Sequence, residues 1–361
     1  MDFFNGPQFE AWLYRSSGGD QLLMRVSHLV CDAAGAKEIA AEWSDIYRRL
    51  AAAPDYHPEP APVDYRGFWQ VLRQVPWYAF PRIGYNYLCE VAGANLPAKS
   101  HVAPLGKLPG EGLRLVTRHI PAERFADLRA HARAHRATVN DLLVTAIIRA
   151  LSKTGAFKPG SALRLGMAVD LRRYLPGKKA RSLANFSSLE LFNYGRAVEA
   201  DFHATLERVA RRTDRRKGAW IGLSAFATTY PLLWSMPFFL LQLAGCKGWE
   251  IKSSRPNAFD WLTNMGEIPE ASVDFDGKPA AAWLLVPGCA LPMLFFGCST
   301  YRGALTFSWS VGSDGENEAE TRDFFDRVVS ELLSAGESQP GAAVMAVVST
   351  HDPAPITVLT A

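Results

Sequence analysis

Residues 25–35 read RVSHLVCDAAG, with one histidine four positions before one aspartate where an apolar alternating run gives way to small residues. Working outward, Phe9 to Arg15 and Gln21 to Val30 read as two strands joined by the turn SSGGD, which predicts a hairpin. In the second strand Leu22, Met24, Val26, His28 and Val30 share a face, so the alternation puts His28 with the apolar side chains. From Ala36 onward Ile39, Trp43, Ile46, Tyr47 and Leu50 recur at helical spacing, which makes Asp32 to Gly35 the connection from strand into helix. Ser27 beside His28 is not a nucleophile–base pair, because neighbours on a strand point to opposite faces. Cys31 reads as packing.

A chain of 361 residues, 48% hydrophobic and 21% charged, is long enough to bury one large core or two coupled ones. A net charge of +3 is too mild to imply nucleic acid, and no basic run is interleaved with aromatics of the kind that stacks bases. The 5 cysteines form no C-x-x-C pair, which predicts reduced thiols and a cytoplasmic protein. The opening MDFFNGPQFEAWLYR lacks the basic and apolar regions of an export signal.

Two uncharged segments, Ala219 to Cys246 and Pro279 to Tyr301, exceed the roughly 18 to 20 apolar residues that could cross a bilayer. Pro231 and Pro237 interrupt the first, and Pro287, Gly288 and Pro292 break the second, so both read as shorter buried or lipid-facing pieces. The basic cluster RVARRTDRRK, Arg208 to Lys217, just precedes the first. It is either a solvated helix face or a contact for anionic headgroups or an acidic partner, and peripheral membrane contact is the expectation it adds.

Elsewhere, residues 51–110 look like a long linker with short helices. Pro121 opens a helix whose stripe is Phe125 and Leu128, and Thr138 with Asp141 is a capping-box start for a strongly apolar second helix. His131 and His135 sit one turn apart, as metal ligands can. With no third ligand in sight and arginines between and after them, they read as an exposed basic face, and no metal site is expected. A strand then ends in Val169-Asp170-Leu171-Arg172, and a second run passes through Asn185 and Phe186. FDWLTNMGEI and MLFFGCSTYRGALTFSWSVG give further strands, the latter turning at Tyr301 to Gly303. A final helix over 317–333 carries Phe324, Phe325, Val328, Val329, Leu332 and Leu333 on one stripe. The fold class is α+β, without a tandem repeat. No G-x-G-x-x-G, P-loop or G-x-S-x-G is present, which argues against dinucleotide enzymes, nucleotide hydrolases and α/β serine hydrolases.

Several stretches together, FNGPQFEAWLYR, SHLVCDA, ATVNDLLVTAIIRAL, AVDLRRYLP with NFSS after it, and TNMGEI, resemble the condensation-domain superfamily of thioester-dependent acyltransferases. That superfamily has the chloramphenicol-acetyltransferase-like fold and includes peptide-synthetase condensation domains, alcohol O-acyltransferases, polyketide-associated acyltransferases and wax-ester synthases. The resemblance implies two similar lobes with a tunnel between them: an N-terminal lobe over 1–155, a C-terminal lobe with crossover segments over 156–340, and a tail over 341–361. Because the histidine motif stands so near Met1, the first lobe is expected to be truncated at its N-terminus.

The family motif H-H-x-x-x-D-G maps its second histidine onto His28 and its aspartate onto Asp32. Ser27 replaces the first histidine, and Ala33 replaces the glycine. The resemblance makes His28 the general base that deprotonates an alcohol or amine acceptor, and Asp32 a structural residue paired with Arg172. Thr263, Asn264 and Gly266 match a stretch near the tunnel that shapes the site or stabilises the oxyanion. The donor is an acyl-CoA or acyl-phosphopantetheine co-substrate, with no cofactor bound permanently. The aromatic-rich apolar segments lean toward a lipid-like substrate, and the relatives toward secondary metabolism. The alternative is a non-catalytic, truncated binding module associated with a membrane.

Overall fold

The computed structural model describes residues 5–60, 64–95, 113–153, 162–224, 227, 235–243, 260–286, 295–312 and 318–335. Strand β1 (Phe9–Tyr14) pairs antiparallel with β2 (Gln21–Val26), Phe9 opposite Val26 and Tyr14 opposite Gln21. The turn between them bends at Gly19, whose φ of +119° is strained for any side chain. β2 ends at Val26, short of the predicted Val30. After Ser27 N–H donates to the Gln8 carbonyl at 2.9 Å, the Val30 and Cys31 amides turn back onto the Ser27 carbonyl at 3.0 and 3.4 Å. Residues 28–30 are therefore a turn, and His28 is exposed rather than on the apolar face. The expected placement is corrected because backbone capture by Ser27 overrides the alternation.

Helix α1 (Ala33–Ala52) starts where the Asp32 carboxylate accepts from Gly35 N–H at 3.0 Å, an N-cap that satisfies one of the orphan donors of the first turn. Gly35 is required there, since a Cβ would meet Cys31 Cβ at 2.6 Å. Trp43 packs edge-on against Phe9 of the hairpin and Phe275, with ring centroids at 5.5 and 5.1 Å. The stretch expected to be a linker contains the short α2 (Trp69–Leu72) and the longer α3 (Phe80–Asn95). They build a core from Val71, Val75, Ala79 and Ile83 with Leu171, Leu175, Ala184, Phe186 and Leu223.

The large sheet has six strands: β3 (Leu113–Ile120), β4 (Leu163–Asp170), β5 (Ser187–Gly195), β6 (Asp260–Glu267), β7 (Phe295–Tyr301) and β8 (Ala304–Gly312). Their spatial order is β3-β8-β7-β6-β4-β5. β6 runs parallel to both β4 and β7, and the other pairings are antiparallel. The β7–β8 hairpin turns through Arg302 and Gly303, both at positive φ. Against this sheet pack α4 (Ala122–Ala134), α5 (Val139–Ser152), α6 (Phe202–Lys217) and α7 (Glu318–Ser334). α5 opens on a complete Thr138–Asp141 capping box and is buried almost all round. Ile147, Ile148, Leu165, Phe296, Phe307, Trp309, Phe325 and Val328 belong to one core, which draws on residues from Val116 to Ala335.

No helix among the described residues is long and apolar enough to cross a membrane. Of the two uncharged segments, the described parts include buried Ala219, Ile221 and Leu223, exposed Phe238, Phe239 and Leu243, and strand β7. Residues 225–226, 228–234, 244–246 and 287–294 of these segments, and the tail over 341–361, lie outside the described residues.

Candidate functional site

His28 sits in the turn between β2 and α1, and its ring is held from two sides. Its Nδ1 lies 3.0 Å from the Cys31 carbonyl oxygen, which can only accept; in the tautomer that bonds this carbonyl, Nδ1 carries the proton and Nε2 is the basic nitrogen. Asn185 reaches the same turn from a segment 157 residues away, donating its Nδ2 to the His28 carbonyl at 2.9 Å and standing 3.1 Å from Nδ1. The Asn185 amide is oriented by its own Oδ1, which accepts from Ser187 N–H at 2.9 Å. Arg66 adds another strap, donating to the carbonyls of Val30 at 3.0 Å and Leu183 at 2.7 Å.

Asp32 is buried and makes three bonds. Besides capping α1, it accepts from Phe186 N–H and from Arg172 Nη1, each at 2.7 Å. Burial alone would raise its pKa, but the Arg172 guanidinium, the Gly35 amide and the Phe186 amide together hold it below the ordinary carboxylate value. Arg172 is only 3% exposed. It is placed by the single helical turn Leu171–Tyr174 after β4, which Asp170 caps by accepting from Arg172 N–H at 2.9 Å. Its Nη2 donates to the Ala184 carbonyl at 3.0 Å, and the guanidinium lies 5.0 Å over the Phe186 ring. Asp32 therefore fastens the backbone on either side of Asn185.

Thr263, Asn264 and Gly266 lie on β6, where the register with β7 breaks between Asn264 and Glu267. Gly266, at φ +71°, donates its N–H to Asn264 Oδ1 at 3.0 Å, which leaves the Asn264 Nδ2 as that side chain's donor. The link from this bulge to the His28 turn is Lys37 on α1, whose Nζ donates to the carbonyls of Met265 at 2.9 Å and Glu267 at 3.0 Å. Burial lowers the Lys37 pKa, partly offset by Asp170 and Asp32. Folding thus brings His28, Asp32 and Arg172 into one bonded cluster and ties Asn264 and Gly266 to it through α1.

Nothing in the sequence singles out Lys37 or Arg66, and Asn185 stands there only as part of the run with Phe186 and of N-F-S-S. The available signal was weak: Lys37 and Ser44 lie seven apart on the α1 face that also buries Ala40, and Ser44 donates to the Ala271 carbonyl at 3.1 Å. Cys31 is no nucleophile, because burial and then Asp32 push its thiol up to about 11. The sequence offered no third ligand for His131 and His135. The fold supplies one, bringing His203 of α6 into their company.

No protein-family model and no curated protein sequence matches the chain. Solved structures do. The chain is similar to the epimerization domain from the third module of tyrocidine synthetase B, with a TM-score of 0.64 at 16% identity over 92% of this chain and 72% of that one. A trichothecene 15-O-acetyltransferase from Fusarium sporotrichioides matches with a TM-score of 0.62 at 14% identity, over 91% and 71%. Polyketide synthase associated protein 5 from Mycobacterium tuberculosis matches with a TM-score of 0.60 at 16% identity, over 92% and 76%. The fold shared with all of them is that of condensation domains and chloramphenicol-acetyltransferase-like acyltransferases.

Proposed function

We propose that the chain is an acyltransferase that moves an acyl group from a coenzyme A or carrier-protein thioester to an alcohol or amine, with His28 as general base. The observation that carries this reading is the anchored ring of His28: Nδ1 stands 3.0 Å from the Cys31 carbonyl, and the tautomer that donates to it leaves Nε2 as the base on an exposed turn. As the acceptor attacks the thioester carbonyl, Nε2 takes its proton. The tetrahedral adduct then collapses, the carbon–sulfur bond breaks, and the imidazolium returns the proton to the leaving thiolate. No acyl-enzyme is needed, in keeping with the protonated Cys31 thiol. Asn264 Nδ2 is the donor assigned to the oxyanion of the adduct. Asp32 and Arg172 do no chemistry in this scheme; they hold the turn.

The test is thiol release from a panel of acyl-CoA and acyl-phosphopantetheine thioesters, each offered alcohols and amines. His28→Ala is expected to lower the rate by about 10²–10⁴-fold, the usual worth of a positioned acid–base group. Equal thiol release by wild type and His28→Ala overturns the catalytic role. A wild-type chain that turns over no member of the panel, yet binds a carrier protein, favours the non-catalytic alternative.

A further inference from the structure

The end of α4 and the start of α6 meet through three histidines that take no part in the His28 cluster. His131 lies in the last turn of α4, His135 is the C-terminal cap of that helix, and His203 follows Phe202 just after the Asp201 cap of α6. The ring centroids of His131 and His135 are 4.5 Å apart, and that of His203 is 5.0 Å from each. One ring nitrogen from each histidine lies within 4.8 Å of the other two. His131 Nε2 and His203 Nδ1 are sealed from solvent and have no hydrogen-bond partner. Buried polar atoms are rarely left without a partner, because each costs about 1–3 kcal/mol. Two such atoms in one cluster of imidazoles point to a ligand that supplies what the protein does not.

We propose that His131, His135 and His203 form a binding site for a divalent transition-metal ion, zinc foremost, with a water completing the coordination. Three imidazole nitrogens and no carboxylate make a donor set suited to zinc, cobalt, nickel or copper and unsuited to magnesium or calcium. The Asp201 carboxylate is already engaged, accepting from Ala204 N–H at 2.9 Å. Zinc–nitrogen bonds of about 2.0–2.1 Å in a tetrahedral shell require nitrogens about 3.3 Å apart, so the rings close by no more than about 1.5 Å on binding. The α4 C-terminus favours a cation and the α6 N-terminus opposes one, so the helix ends contribute little net field. Burial and the two neighbouring imidazoles lower the pKa of His131, which favours the neutral ring that ligates. Bound there, the ion staples α4 to α6 on elements that supply none of the hydrogen bonds around His28.

Calorimetric titration of the untagged full chain with zinc chloride near neutral pH tests this. The expected result is one ion per chain with a micromolar or tighter Kd, and a Tm that rises with zinc. His203→Ala, and separately the more conservative His203→Gln, should each weaken zinc binding by orders of magnitude and abolish the Tm rise. Their metal-free circular dichroism should match wild type, which separates loss of a ligand from loss of fold. Cobalt in place of zinc should give visible d–d absorption in wild type but not in His203→Gln. Two results overturn the proposal: no saturable zinc binding by wild type, or binding by wild type and folded His203→Gln with the same affinity.

Discussion

At the scale of single residues, Asp32 carries more of the candidate site than the histidine it supports. Its carboxylate binds a helix amide, a strand-entry amide and a guanidinium, so removing it leaves Arg172, which is 3% exposed, with its longer 3.2 Å contact to the solvent-facing Asp170 carboxylate in place of the buried pair. Breaking one member of such a buried pair costs about 3–5 kcal/mol, and that is the loss expected for Asp32→Ala or Arg172→Ala in urea denaturation. The pH dependence follows from sign. The folded-state pKa of Asp32 lies below the unfolded value of 3.8, so its contribution is present above that pH and is lost as pH falls through the folded value. Wild type should therefore lose stability on acidification in a window where Asp32→Asn does not, and parallel acid profiles would refute the assignment. The spacing of His28 and Asp32 was legible in the sequence, and the Asp32–Arg172 pairing came only from the resemblance. The turn was not legible, because Val30 continues the alternation. What ends the strand is the Ser27 carbonyl, with Asn185 and Arg66 arriving from distant segments, and no local pattern records them.

At the scale of elements, the basic stretch of α6 shows how a sequence reading among solvent, anionic lipid and an acidic partner misses one more outcome. The arginines on one side of the helix are taken up inside the protein. Arg208 pairs with Glu199 at 2.7 Å and lies 4.7 Å over the Tyr194 ring, while Arg212 donates to the Tyr194 carbonyl at 2.6 Å. Arg216 pairs with both Glu90 of α3 and Glu190 of β5. Arg211 keeps to an exposed pair with Glu207, which is worth little. The partners come from β5, the loop before α6, and α3, whose position charge patterning does not reveal. This three-way junction makes a pH prediction. Burial first, and then the charge of Glu190, push Glu90 up to about 7 from 4.5. A carboxyl raised in the folded state contributes stability that is complete below 4.5 and is lost as pH rises through about 7. The shift corresponds to on the order of 3 kcal/mol. Glu90→Gln should therefore gain on wild type between pH 5 and pH 8, measured by urea denaturation of both. A difference between the two proteins that does not change with pH would show that Glu90 does not titrate in this window.

At the scale of the whole molecule, the candidate site is a junction. His28 and Asp32 come from the hairpin and α1, Arg172 and Phe186 from the smaller core, and Asn264 and Gly266 from the central part of the six-stranded sheet. The general fold was recognisable in the sequence because short segments recur in the order of the family they resemble. The neighbour relations in β3-β8-β7-β6-β4-β5 and the assembly of the main core from Val116 to Ala335 depend on long-range pairing, which the segments do not encode. Joining the parts falls to a few polar bonds, of which the Lys37 clamp on the Met265 and Glu267 carbonyls spans from α1 to β6. Hydrogen bonds from a charged group contribute about 1.5–3 kcal/mol each at most, and the half-buried lysine offsets part of that by desolvation. Lys37→Met keeps the packing stem and removes the donors. Its expected stability loss is about 1–3 kcal/mol, small beside that of Asp32→Ala. If the β6 bulge positions the oxyanion donor, the same variant should lower the rate of thiol release well beyond what its retained fold explains, with circular dichroism unchanged. Lys37→Met at the full wild-type rate would mean that β6 holds its place without α1, and the role assigned to Asn264 would fall with it.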